Sequence, residues 1–149
     1  MNIVLFQPEI PGNTGNIARL CAATGTGLHL IGPLGFSLSD RHLKRAGLDY
    51  WQHVRLTIYN SLDEFYGAHP DGLFYYLSTK AAKSYTKADY SEDDFLVFGP
   101  ETRGLPDHIL AENPDTSLTI PMDGPVRSLN LSTAAGIVLY EGLRQVRGY

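Results

Sequence analysis

Phe98-Gly99-Pro100-Glu101-Thr102-Arg103-Gly104-Leu105 is the stretch on which the fold turns. It continues the apolar run Phe95–Phe98, which has the length and composition of a buried strand. Gly-Pro ends that strand abruptly, because proline has no N–H to extend a ladder. A carboxylate and a guanidinium follow two residues apart, at Glu101 and Arg103, and Gly104 lets backbone approach a neighbour closely. Pro106 stands where the first turn of a helix begins. In open α/β sheets ligands bind outside the carboxyl ends of the strands, which is where this octapeptide falls. Alone, it reads equally as a strand-to-helix turn with an exposed ion pair. Two further stretches, near either end of the chain, change that balance.

The chain has 149 residues, which suits one domain spanning 1–149 with a sizeable core. A hydrophobic fraction of 43% against 19% charged residues is that of a soluble globular protein. The net charge of −4 advertises no nucleic-acid partner, so a polyanion would have to meet a local basic patch or one assembled across subunits. A single cysteine, Cys21, excludes an internal disulfide and agrees with a reducing compartment. Its apolar helical surroundings mark it as a small buried hydrophobe. The N-terminal apolar run is too short for a signal peptide and no run approaches the ~20 residues of a membrane span. A cytoplasmic location is expected.

Outward from the octapeptide, Asn2–Phe6 reads as a central strand and Pro8–Asn13 as a rigid loop, with Asn13 or Thr14 capping a helix over Gly15–Thr24. Gly25 and Gly27 end that helix before a strand at Leu28–Ile31. Strand, helix and strand in about 30 residues is the unit of parallel α/β architecture. Asp40–Ala46 reads as a short basic helix closed by Gly47, and Val54–Tyr59 as a third strand. Ser61-Leu62-Asp63-Glu64 has the pattern of a capping box, and Leu73–Leu77 that of a fourth strand. Ala81–Tyr90 is polar and without period, hence a loop. After the fifth strand at Phe95–Phe98 come a short helix at Pro106–Ala111, a sixth strand at Ser117–Ile120 and a Pro/Gly loop at Pro121–Val126. Leu131–Val146 is a helix apolar nearly all round, which predicts cover on two sides, the second from another subunit.

Familiar nucleotide and metal sites are missing from this pattern. There is no Gly-x-x-x-x-Gly-Lys-Ser/Thr loop, and Gly25-Thr26-Gly27 precedes a strand where a dinucleotide fingerprint follows one. No Gly-x-Ser-x-Gly elbow occurs. The histidines show no paired ligand spacing, so no metal is expected. What remains is three polar loops at strand ends: Asn13-Thr14-Gly15-Asn16-Ile17-Ala18-Arg19, Gly99–Leu105, and Ile120-Pro121-Met122 with Arg127-Ser128-Leu129-Asn130-Leu131-Ser132.

In this order and spacing the three loops resemble the motifs of the SPOUT superfamily of RNA methyltransferases, over nearly the whole chain. Pro8-Glu9-Ile10-Pro11-Gly12-Asn13-Thr14-Gly15-Asn16 and Arg45-Ala46-Gly47-Leu48-Asp49-Tyr50 narrow the likeness to the minimal tRNA (cytidine/uridine) 2′-O-methyltransferases of the anticodon wobble ribose. The resemblance implies a single-domain, mostly parallel α/β sheet flanked by helices, with a deep trefoil knot near the C-terminus. It implies a homodimer that binds tRNA and uses S-adenosyl-L-methionine, leaving S-adenosyl-L-homocysteine as product. Carried over by position, it assigns the cofactor to Leu77, Ser78, Thr79, Gly99, Pro100, Glu101, Gly104, Ile120, Met122, Ser128 and Leu129. Backbone N–H and C=O groups at strand ends can hold adenine, with Leu77, Ile120 and Leu129 as apolar walls.

The same likeness assigns the chemistry to Arg19, Asn13, Glu101, Ser128 and Asn130. It makes Arg19 the candidate base, although a guanidinium with a pKa above ~12 rarely gives up its proton. Orienting the hydroxyl and stabilising a developing alkoxide is the other role open to it. Glu101 is expected to fix an arginine or the backbone, and Asn130 either contacts ligand or caps the last helix. RNA phosphates are expected at Arg41, Lys44, Arg45 and Lys80, with Lys83 and Lys87 alongside. Tyr85 and Tyr90 could stack on a base or simply pack. The other readings are the same chemistry on another RNA, such as ribosomal RNA, and a non-catalytic RNA-binding α/β module.

Overall fold

A computed structural model describes residues 1–39 and 50–148. Seven strands form one sheet: β1 (Asn2–Phe6), β2 (Gly27–Ile31), β3 (Arg55–Tyr59), β4 (Phe74–Leu77), β5 (Lys83–Ser84), β6 (Phe95–Phe98) and β7 (Ser117–Thr119). Their order is β3-β2-β1-β6-β4-β7-β5, and every neighbouring pair is parallel. Among the described residues four α-helices accompany them: α1 (Pro11–Thr24), α2 (Leu62–Ala68), α3 (Asp107–Glu112) and α4 (Leu131–Arg147).

The central strands β1, β2 and β6 are buried on both faces, whereas the edge strand β3 is largely exposed, and the period-two alternation of the central strands sorts the core into two layers. Ile3, Leu5, Leu28, Leu30, Leu96 and Phe98 meet Ile17, Ala18 and Cys21 of α1 and Ala135, Val138, Leu139 and Leu143 of α4. On the opposite face, Val4, Ile31, Phe95 and Val97 meet Phe65 of α2 and Ile109 of α3. Burial pushes the Cys21 thiol up to about 12, so it behaves as a small core hydrophobe.

Local chemistry accounts for most helix ends. Ser61 Oγ accepts the Glu64 N–H at 3.1 Å, while Glu64 reaches back to the Asn60 N–H at 2.6 Å, a capping box displaced by one residue. Gly25 and Gly148 close α1 and α4 in the left-handed conformation, at φ 68° and 73°. α1 departs from the sequence reading. It starts at Pro11, four residues before Gly15, so Asn13 and Thr14 are buried inside its first turns and cap nothing. Pro11 is prearranged for a first helical turn, and the acceptors a local cap would supply come from elsewhere.

Ala81–Tyr90 is likewise no plain loop. It carries β5, which pairs with β7, and a 3₁₀ turn at Tyr85–Lys87. Tyr90 is buried, meets Tyr75 edge to face and donates to the Tyr85 carbonyl at 2.7 Å, which leaves it no freedom to stack on a base. α4 buries one face against α1 and β6; Tyr140, on its other side, is 50% exposed. The expected basic helix at Asp40–Ala46, with Arg41, Lys44 and Arg45, lies outside the described residues.

Candidate active site

The loops that follow β6, β4 and β7 converge on one cavity of about 490 Å³. β6 and β4 are hydrogen-bonded neighbours, and β7 lies on the far side of β4, so their carboxyl ends open together. Gly99 is indispensable where β6 stops. A Cβ there would overlap the Gly104 carbonyl carbon and the Leu105 nitrogen, so the loop can fold back on itself only with hydrogen at that position. The return is completed by Gly104, at φ 68°, whose N–H reaches the Pro100 carbonyl at 2.9 Å.

All residues assigned to the cofactor by position line this cavity: Leu77, Ser78, Thr79, Gly99, Pro100, Glu101, Gly104, Ile120, Met122, Ser128 and Leu129. Asn13, Asn130 and Lys80 line it as well. Arg19 is not among the lining residues. It lies on the exposed side of α1 with its guanidinium 4.8 Å from the centre of the Tyr50 ring and 3.3 Å from the Tyr50 hydroxyl. Lys80 donates to Asp107 at 2.6 Å, an exposed pair at the start of α3. Among the described residues, no group of histidine, cysteine and carboxylate side chains is placed to hold a metal ion, and no helix is long and apolar enough to cross a membrane.

Glu101 spends its carboxylate on the neighbouring loop. Its oxygens accept the Glu9 N–H at 2.8 Å, the Ile10 N–H at 3.1 Å and Asn13 Nδ2 at 3.2 Å. These are N–H groups at the opening of α1, where a negative charge also complements the helix dipole. Asn130 takes the capping role and adds a bond to a second motif loop. Its Oδ1 caps α4 through the Ser132 N–H at 2.9 Å, and its Nδ2 donates to Asn13 Oδ1 at 2.9 Å. Glu101, Asn13 and Asn130 therefore form one relay joining the three motif loops, and they set geometry before any of them meets a substrate.

Several lining residues were given no site role by the sequence: Ile10, Thr102, Arg103, Arg127 and Ala134. Backbone groups at the strand ends, a glycine cradle and the apolar side chains of Leu77, Ile120 and Leu129 suit a flat heteroaromatic ring with a polar edge.

Fold and site together define a SPOUT-type methyltransferase, a parallel α/β enzyme with its ligand cavity at looped strand ends. The chain belongs to the SpoU rRNA Methylase family, whose profile matches residues 1–140. A tRNA (cytidine(34)-2′-O)-methyltransferase of Escherichia coli is 47% identical over 150 residues, covering 100% of this chain and 95% of its own length. A structure solved for insight into the 2-OH methylation of C/U34 on tRNA superposes with a TM-score of 0.95 at 51% identity, over 99% of this chain and 97% of the other. The SpoU methyltransferase AviRb of Streptomyces viridochromogenes, solved in complex with the cofactor AdoMet, superposes with a TM-score of 0.84 at 25% identity, over 97% of this chain and 60% of that one.

Proposed function

We propose that this protein transfers a methyl group from S-adenosylmethionine to the ribose 2′-hydroxyl of the wobble nucleotide, cytidine or a 5-substituted uridine, in a tRNA anticodon. The observation that carries this reading is the convergence of three distant motif loops on one cavity that suits the cofactor. The similarity to relatives named for that reaction and to an AdoMet complex supports it. A tRNA substrate makes the cytoplasm the place of action.

Bound in the cavity, S-adenosylmethionine supplies a methyl group on a sulfonium and departs as neutral S-adenosylhomocysteine. A neutral leaving group needs no acid, so the chain's task is alignment and management of the hydroxyl proton. Gly99–Gly104, Leu77–Thr79 and Ile120–Met122 hold the donor. Ser128 and Asn130 approach it from the start of α4, and Glu101 with Asn13 keeps these walls in register. Arg19 orients the acceptor ribose and stabilises its developing alkoxide. Because Arg19 lies outside the cavity of its own chain, it serves the cavity of a second copy, which makes the working enzyme a homodimer. The free side of α4, including Tyr140, is the natural seat for that copy. Lys80 faces RNA phosphate at the cavity mouth, in exchange for its pairing with Asp107. β7 lies between β4 and β5, and α4 then returns to pack on α1, an arrangement that fits a threaded C-terminal segment.

The test is to incubate the purified protein with S-adenosylmethionine and, side by side, base-modified tRNA lacking a 2′-O-methyl group at position 34 and ribosomal RNA, then to map ribose methylation by mass spectrometry of nuclease fragments. The reading expects a 2′-O-methyl group at position 34 alone. Methylation confined to ribosomal RNA fragments, or RNA binding without methylation, would overturn it.

A further inference from the structure

We propose that Glu9 is a positioning residue of the methyl-transfer site, acting through a reciprocal clasp between the loop before α1 and the loop after β6. This rests on the function proposed above. Glu9 gives its carboxylate to the far loop, accepting the Thr102 N–H at 3.0 Å and the Thr102 hydroxyl at 2.8 Å. Glu101 returns the exchange, accepting the Glu9 N–H at 2.8 Å across 92 residues. Each loop therefore carries a charged acceptor for the other's backbone, and bonds of this kind are shorter and stronger than neutral ones. The Thr102 hydrogen bonds hold the Glu9 carboxyl below its usual range, which favours the ionised form that accepts them.

A second strap runs beside it. Arg103 donates to Gln7 Oε1 at 2.6 Å, and Gln7 adopts φ 48°, a left-handed conformation uncommon for a residue with a side chain. Backbone held in a sparsely populated region beside a ligand cavity is tolerated where surrounding contacts over-determine it. Thr102, Arg103 and Ile10 line the cavity, and Glu9 does not. Glu9 therefore acts through its partners. It sets where the Gly99–Gly104 wall stands relative to Asn13 and Asn130, the alignment on which an in-line transfer depends.

The experiment compares Glu9→Gln, Thr102→Val and Thr102→Ser in the full-length enzyme, reading kcat, the KM for tRNA and the melting temperature. Misplacing a reacting group by a fraction of an ångström slows an aligned reaction, so Glu9→Gln is expected to lower kcat about tenfold to a hundredfold with KM and melting temperature near wild type. Thr102→Val reproduces the loss, Thr102→Ser restores the rate, and the Glu9→Gln/Thr102→Val double variant is no slower than either single one. Should Glu9→Gln fold poorly, the contrast between Thr102→Val and Thr102→Ser decides. An active wild type with an equally active Glu9→Gln, or a loss that merely tracks unfolding, overturns the clasp. A wild type inactive on tRNA overturns both this inference and the function beneath it.

Discussion

Asn130 Nδ2 donates to Asn13 Oδ1 at 2.9 Å, joining residues 117 positions apart, while Oδ1 of the same Asn130 caps α4. One amide thus stabilises a helix and fixes a cavity wall, and the two duties can be separated. Asn130→Asp keeps a capping oxygen and adds a charge that the helix N-terminus favours, but it has no N–H to offer Asn13. Asn130→Ala loses both, at a cost of about 1 kcal/mol for the cap. Methyl transfer should therefore fall strongly in both variants, whereas only Asn130→Ala should melt several degrees lower. Equal melting losses in the two would show that the cap is not what Asn130 contributes.

Arg19 stands apart from the cavity of its own chain, so its loss should spare donor binding. Arg19→Ala is expected to slow turnover by about 10²- to 10⁴-fold, the range for a positioned proton-handling group. Cofactor affinity measured by calorimetry should stay near wild type. If Arg19 serves the partner's cavity while Asn13 serves its own, mixing Arg19→Ala with Asn13→Ala subunits rebuilds one intact site per mixed dimer. Activity that recovers on mixing supports that arrangement; a mixture as inactive as its parents refutes it.

Gly99 is the tightest point of the cavity wall, because the atoms a Cβ would meet are backbone and cannot swing aside. Gly99→Ala must open the Gly99–Leu105 return and shift Glu101 away from the Glu9 and Ile10 N–H groups. The expected results are a stability loss of about 2–3 kcal/mol by urea denaturation and no measurable heat of cofactor binding. A variant that binds the cofactor normally would show that the loop has more slack than this geometry allows.

The contrast between β6 and the start of α1 shows what the chain reveals about itself. β6 is four apolar residues stopped by Gly-Pro, a local signal with local causes, and the structure places it at Phe95–Phe98 as expected. α1 opens earlier than expected because the acceptors at its first turn belong to Glu101, 88 residues beyond Asn13, and no window along the chain contains both. β5 escaped for the opposite reason: two polar residues hold their place only because β7 offers a partner. Motif likeness named residues that the structure gathers around one cavity, with Arg19 outside it. Glu9, Gln7, Thr102 and Arg103 were given no site role, since each is an ordinary polar residue until its partner in the other loop is known.

Thr14 offers a stability test away from the chemistry. It is fully buried in α1, and its hydroxyl finds no hydrogen-bond partner among the described residues. A desolvated, unpaired hydroxyl costs about 1–3 kcal/mol, and valine has nearly the same shape and the same branched Cβ. Thr14→Val should therefore raise stability by about 1 kcal/mol and leave the melting transition two-state. A fall in melting temperature would mean that the hydroxyl has a partner in the assembled protein.

Acid stability should be governed largely by His29. This side chain is 8% exposed, with Nδ1 3.3 Å from the Tyr59 hydroxyl and Nε2 3.4 Å from Asn2 Oδ1. Burial, followed by the nearby charges of His69 and Arg55, lowers its pKa from 6.5 to about 4. Between those values the unfolded chain binds a proton that the folded chain refuses. The contribution of a neutral His29 is therefore complete above pH 6.5 and is lost as the pH falls toward 4, amounting to about 2 kcal/mol by pH 5. His69, also lowered by burial and bonded to the Tyr59 hydroxyl at 2.9 Å, acts in the same direction. The urea midpoint should decline from pH 7 to pH 5, and His29→Gln, whatever its absolute stability, should flatten that decline. A His29→Gln protein whose midpoint falls as steeply as wild type would move the acid sensitivity to other groups.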